Sequence, residues 1–152
     1  MMTSDRIEQE IVIDAPVERV WSVLTDPGYV GKWFGQGEPI PIDLRPGGFM
    51  HLDHGQYGIF PCRIEKVDPP HVLTYRWASA YPNEEANDSN STLVEFTLTP
   101  DGEATRLRVV ESGFAALTIP AEREETAGYE SHTKGWPEVL GNLRRYAEQR
   151  DA

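Results

Sequence analysis

Glu111 and His132 are the two residues whose types and positions could work together. Alternation along residues 105–113 puts Glu111 on the face of Leu107 and Val109, and helical periodicity puts His132 one turn before Trp136 on an apolar stripe. A carboxylate and an imidazole facing one apolar space suit general acid and base work, or the anchoring of a polar group on a ligand. The competing expectation is structural: Glu111 solvated near a strand end, and His132 a partly buried helix residue. Neither is assigned as catalytic; they are weak candidates. The aromatic and aliphatic residues Trp33, Phe60, Tyr75, Trp77, Phe96, Trp136 and Leu140 complete a candidate ligand-binding set with them. Pockets for flat or greasy molecules have apolar walls and few polar groups. Taken singly, each of these residues is better explained as core.

Other chemistry is weaker. His51, Asp53 and His54 fall within four residues, but on a strand only His51 and Asp53 share a face, and no further ligand is visible, so no metal is expected. Gly47-Gly48 and Gly55-Gln56-Tyr57-Gly58 lack the following helix, lysine and hydroxyl of a phosphate loop, so no nucleotide and no cofactor is implied. Cys62, the single cysteine, has no partner for a disulfide and reads as a small buried hydrophobe.

These residues need elements to position them. Residues 6–14 alternate as a strand, with Gln9 the exception on its buried face. Pro16 opens a short helix through Val17, Val20, Trp21 and Leu24, and a second short helical turn is expected over 29–33. Strands are expected at 39–45, 48–54, 58–67, 72–78, 92–99 and 105–113, with a polar loop at 79–91. Their inward faces carry Leu73, Tyr75 and Trp77, then Val94, Phe96 and Leu98, then Leu107, Val109 and Glu111. Trp136, Val139, Leu140, Leu143, Tyr146 and Ala147 form one stripe of a helix within Pro120–Arg150, long enough to cover that sheet. Glu122, Glu124 and Glu125 near its start and Arg144, Arg145 and Arg150 near its end complement the helix dipole. Pro137 lacks the amide hydrogen that would reach the Thr133 carbonyl, which predicts a kink or interruption there. Gly128, Gly135 and Gly141 are expected to leave gaps along the helix.

At 152 residues a single domain over 1–152 is expected. A net charge of -11 disfavours nucleic acid and anionic membrane as partners. A charged start in place of a leader, and no run of about 20 apolar residues, point to a soluble cytoplasmic protein.

Ile13-Asp14-Ala15-Pro16, Val20-Trp21, Leu24-Thr25-Asp26-Pro27 and Trp33-Phe34 together resemble the opening of the SRPBCC (START-like) superfamily. Pro46-Gly47-Gly48, Ile64 to Pro70 ending at Leu73 and Trp77, Ser112-Gly113-Phe114, and Gly135-Trp136 with Leu140, Leu143 and Tyr146 resemble bacterial relatives of the activator of the heat-shock-chaperone ATPase. The resemblance implies an α+β helix-grip fold: strand, two helices, six antiparallel strands wrapped around a long C-terminal helix, with a cavity between sheet and helix. It leaves activity open, because one fold carries many functions. A binding protein for a small hydrophobic molecule is the leading expectation. A co-chaperone-like regulator acting on a chaperone partner through its surface, or a polyketide cyclase/aromatase-like enzyme, are the alternatives; an enzyme is the less expected outcome.

Overall fold

The structure is a computed structural model that describes residues 6–26, 28–30, 41–53, 59–77, 90–113 and 129–149, with the backbone alone at 52–53, 129–132 and 134. Strand β1 (Arg6–Ile13) leads through Pro16 into helix α1 (Val17–Thr25). Strands β2 (Phe49–Asp53), β3 (Ile59–Asp68), β4 (Val72–Trp77), β5 (Thr92–Asp101) and β6 (Ala104–Ser112) follow, and helix α2 (Tyr129–Glu148) closes the chain. The six strands form one antiparallel sheet in the order β1-β6-β5-β4-β3-β2. This is the expected helix-grip architecture.

Alternation sorts the side chains as the sequence predicts. Leu73, Tyr75, Val94, Phe96, Leu98, Leu107 and Val109 are buried on the inner face. Trp136, Leu140, Leu143 and Ala147, at i, i+4, i+7 and i+11 of α2, are buried with them in one core. Burying a side chain of the size of Leu140 or Leu143 stabilises by about 1.5–3 kcal/mol relative to leaving it in water. Along β1 and β6 the outer face carries charged pairs. Arg108 donates to Glu8 and Arg106 to Glu10, each at 2.8 Å, between neighbouring strands. The Arg108 hydrogen bond holds the Glu8 carboxyl below its ordinary range. Both partners are largely exposed, so salt screens these pairs.

Segment 39–45 differs from expectation. Among its described residues there is one bridge, Ile42 to Met50, rather than a strand. Asp43 N donates to Phe49 O and His51 N to Pro41 O, so this segment still runs along the free edge of β2. Pro41 has no amide hydrogen with which to continue a ladder. The following turn depends on glycine: Gly47 has φ 82°, and a Cβ on Gly48 would lie 2.0 Å from the Asp43 carbonyl oxygen.

The C-terminal half of the chain is anchored at its far end. Arg19 of α1 donates to the carbonyls of Tyr146 (3.0 Å), Gln149 (3.3 Å) and Ala147 (3.4 Å), and to the Tyr29 hydroxyl (3.1 Å). Asp14 N donates to the Glu148 carboxylate at 2.8 Å, and Thr105 Oγ1 donates to the Ala15 carbonyl at 2.8 Å. Carbonyls in the last turn of a helix have no partner within it, and a guanidinium there also meets the negative end of the dipole.

Helix α2 is not interrupted at Pro137, which is exposed within a continuous run from Tyr129 to Glu148. The buried Trp136, Leu140 and Leu143 hold both sides of the proline to the sheet, and this packing outweighs the lost hydrogen bond. Pro137→Ala restores the amide donor but loosens the unfolded chain. Their balance is expected to raise stability by about 1 kcal/mol, measured by urea unfolding; a loss of that size would mean that Pro137 acts as a helix start. At Gly135 and Gly141 an added methyl would meet nothing within 4 Å among the described residues. Gly128, the acidic residues 122, 124 and 125, Arg150, most of the polar loop and the helical turn beyond Val30 lie outside those residues.

Candidate functional site

The sheet register assembles the site row by row. Ile64 pairs with Tyr75, Tyr75 with Val94, Val94 with Glu111 and Glu111 with Ile7, so these five side chains lie side by side on the inner face. Thr92, two residues before Val94, shares that face. Trp136 comes down onto it from α2. Glu111 is 0% exposed, which corrects the expectation that it is solvated at a strand end. Trp136 Nε1 donates to its Oε1 at 2.8 Å and Thr92 Oγ1 donates to its Oε2 at 2.5 Å. Thr92 Oγ1 also lies 3.4 Å from the Trp77 carbonyl, but its single proton is committed to the shorter contact. A buried carboxyl group demands such donors, because a polar group out of water without hydrogen bonds is costly.

The aromatic residues enclose this pair. The Trp136 ring meets Phe96 edge-on, with centroids 5.8 Å apart, and Trp77 edge-on at 6.3 Å. Tyr75 and Phe96 lie tilted at 6.2 Å. Tyr75 is 1% exposed, and its hydroxyl has no hydrogen-bond partner among the described residues. Burial pushes that hydroxyl well above its ordinary range, with the neighbouring Glu111 adding to the effect, so it stays a neutral O–H. Burial likewise pushes the Cys62 thiol up, with Glu111 adding, which keeps it protonated and unreactive.

Of the candidate residues, Phe60, Tyr75, Phe96, Glu111, Trp136 and Leu140 are buried in one layer between sheet and helix, with Trp77 half-buried beside them. Trp33 lies outside the described residues, as does the side chain of His132, whose backbone sits in the first turn of α2. Thr92 was missed by sequence reasoning. Its signal was available, since alternation from Val94 and Phe96 puts a hydroxyl on a face otherwise apolar. His51 stands on the outer face with its ring 4.6 Å from that of Phe49, away from Glu111. There Phe49, His51, Pro61 and Arg63 border, with Gly47, Gly48 and Cys62, a groove of about 400 Å³. Among the described residues no three His, Cys, Asp or Glu side chains gather as metal ligands, and no helix is long and apolar enough to cross a membrane.

The motifs that frame this layer, from Asp14-Ala15-Pro16 to the apolar stripe of α2, fall within residues 14–148, which match the family model described as Activator of Hsp90 ATPase homolog 1-like protein. The chain belongs to that family. Protein MLL2253 from Mesorhizobium loti superposes on this Activator of Hsp90 ATPase homolog 1-like chain with a TM-score of 0.74 at 24% identity, over 97% of this chain and 99% of that one. The solution structure of the Aha1 dimer from Colwellia psychrerythraea gives 0.71 at 20%, over 94% and 96%. At those identities the likeness is one of fold. DynU16, a protein in the dynemicin biosynthetic locus, gives 0.73 at 27% identity; it covers 97% of this chain, which spans 48% of DynU16. No curated protein matches significantly.

Proposed function

We propose that this family member is a binding protein for a small hydrophobic molecule, held between the inner face of the sheet and α2. One observation carries the proposal: the fully buried carboxyl group of Glu111 stands inside an aromatic layer with the Tyr75 hydroxyl, which has no hydrogen-bond partner among the described residues. Polar groups are expensive in an apolar interior, and a few of them among aromatic walls is the composition of a ligand site. The arrangement favours binding over acid-base chemistry. Both Glu111 oxygens already accept a hydrogen bond, so the group is suited to holding Trp136 more than to abstracting a proton.

Native mass spectrometry of the freshly purified protein, with a thermal-shift screen of neutral apolar compounds, tests this. A co-purifying mass or a rise in Tm is expected, weakened in Leu140→Phe, which fills the layer. No bound mass and no shift with any compound would remove the proposal. Family membership favours a second reading, regulation of a chaperone ATPase through the outer surface. It requires ATP turnover by the organism's chaperone to change when this protein is added in saturating amount.

A further inference from the structure

Among the described residues the Tyr75 hydroxyl is a fully buried polar atom of the inner layer with no hydrogen-bond partner. Glu111, Thr92 and Trp136 satisfy one another, whereas Tyr75, a single strand removed from Val94 and two from Glu111, presents its O–H to the same layer with no acceptor among the described residues. Buried hydroxyls are almost always hydrogen-bonded, so one that is not marks a place where an acceptor belongs. The hydroxyl is a donor held neutral by burial. The chain around it carries a net charge of -11.

Building on the hydrophobic-ligand proposal, we infer that the ligand is a neutral apolar molecule with a carbonyl-type oxygen, and that Tyr75 is its specificity-determining residue, donating the hydrogen bond to that oxygen. Fatty acids and other carboxylates would bring an anion into a layer whose residues named above include no cation, at high cost. Pure hydrocarbons fit the walls but leave the hydroxyl unused. Ketones, esters and amides on a flat or linear apolar frame use both.

The test compares matched probes on the full chain by calorimetric titration. One pair is flat, acetylnaphthalene against isopropylnaphthalene; the other is linear, undecanone against undecane. Naphthoate serves as the anion. In at least one pair the ketone is expected to bind about tenfold more tightly than its hydrocarbon partner, the worth of one buried hydrogen bond. Naphthoate is expected to bind most weakly. In Tyr75→Phe the ketone falls to the affinity of the hydrocarbon, the hydrocarbon is unchanged, and Tm does not fall, because no internal hydrogen bond has been removed. Equal binding of ketone and hydrocarbon, or discrimination that survives in Tyr75→Phe, overturns the assignment to Tyr75 while the hydrophobic-ligand proposal stands. A drop in Tm in Tyr75→Phe without ligand overturns it too, by showing that the hydroxyl is satisfied internally. If no member of either pair binds, the assignment to Tyr75 falls, while the hydrophobic-ligand proposal is decided by the native mass spectrometry and the wider thermal-shift screen.

Discussion

Trp136→Ala is expected to destabilise the protein by about 4 kcal/mol or more, the largest effect of any single change considered. Truncating a buried aromatic ring costs roughly 3–5 kcal/mol. Here the loss removes the edge-on contacts to Phe96 and Trp77 and the hydrogen bond to Glu111 Oε1. A buried acceptor left without its partner adds about 1–3 kcal/mol. Against a typical total of about 5–15 kcal/mol, a variant partly unfolded at room temperature is the expected outcome. Trp136→Phe separates the two terms. It keeps a six-membered aromatic ring and deletes the N–H with the rest of the five-membered ring, so urea unfolding followed by circular dichroism should show a loss of about 2–3 kcal/mol, smaller than that of the alanine variant. Combining it with Glu111→Leu should cost less than the sum of the two single changes, since each removes what the other would leave stranded. Full additivity would mean that the indole and the carboxylate are neighbours without being coupled.

Arg19→Ala is expected to cost about 2 kcal/mol. Arg19 is half-buried and one guanidinium serves three terminal carbonyls of α2 and the Tyr29 hydroxyl, while its plane lies over the Tyr29 ring at 5.1 Å. Partly buried cations at helix C-termini contribute up to about 2 kcal/mol, and stacking on an aromatic ring about 0.5–1 kcal/mol. Lysine keeps the charge but has no planar fork, so Arg19→Lys should recover less than half of the loss. Hydrogen exchange gives an independent check. Amides of the last turns of α2 should lose protection in Arg19→Ala while those of β5 and β6 keep theirs; uniform loss across the sheet would show that Arg19 supports the whole fold instead of the helix end.

What was legible in the sequence follows from the range of the forces involved. Inner faces such as Leu73-Tyr75-Trp77 could be read because alternation is a local property of a strand, and α1 because proline and apolar spacing act over a single turn. The state of Glu111 could not be read. Its donors lie 19 and 25 residues away and meet it only after β5, β6 and α2 have docked. Arg19 is similar: its spacing gives a polar position on α1, and nothing local connects it to carbonyls more than 120 residues later. Segment 39–45 was overread because apolar alternation does not register the missing amide of Pro41. Pro137 predicts a kink or interruption because its local cost is visible; no interruption occurs, because the packing of Trp136 that keeps the helix continuous is tertiary.

The charged pairs on the outer face have a consequence for self-association. A six-stranded sheet has two margins at which a second chain can add a strand. At the β2 margin the backbone of 41–43 already occupies the ladder. The other margin is β1, where Arg6, Glu8 and Glu10 stand at every second position, with Glu8 and Glu10 held flat by Arg108 and Arg106 of the next strand. A foreign strand laid there would bring its own side chains against fixed charges of both signs. This layer of ion pairs contributes little to stability, yet charges at every second position of an edge strand are of the kind that disfavours edge-to-edge pairing of sheets.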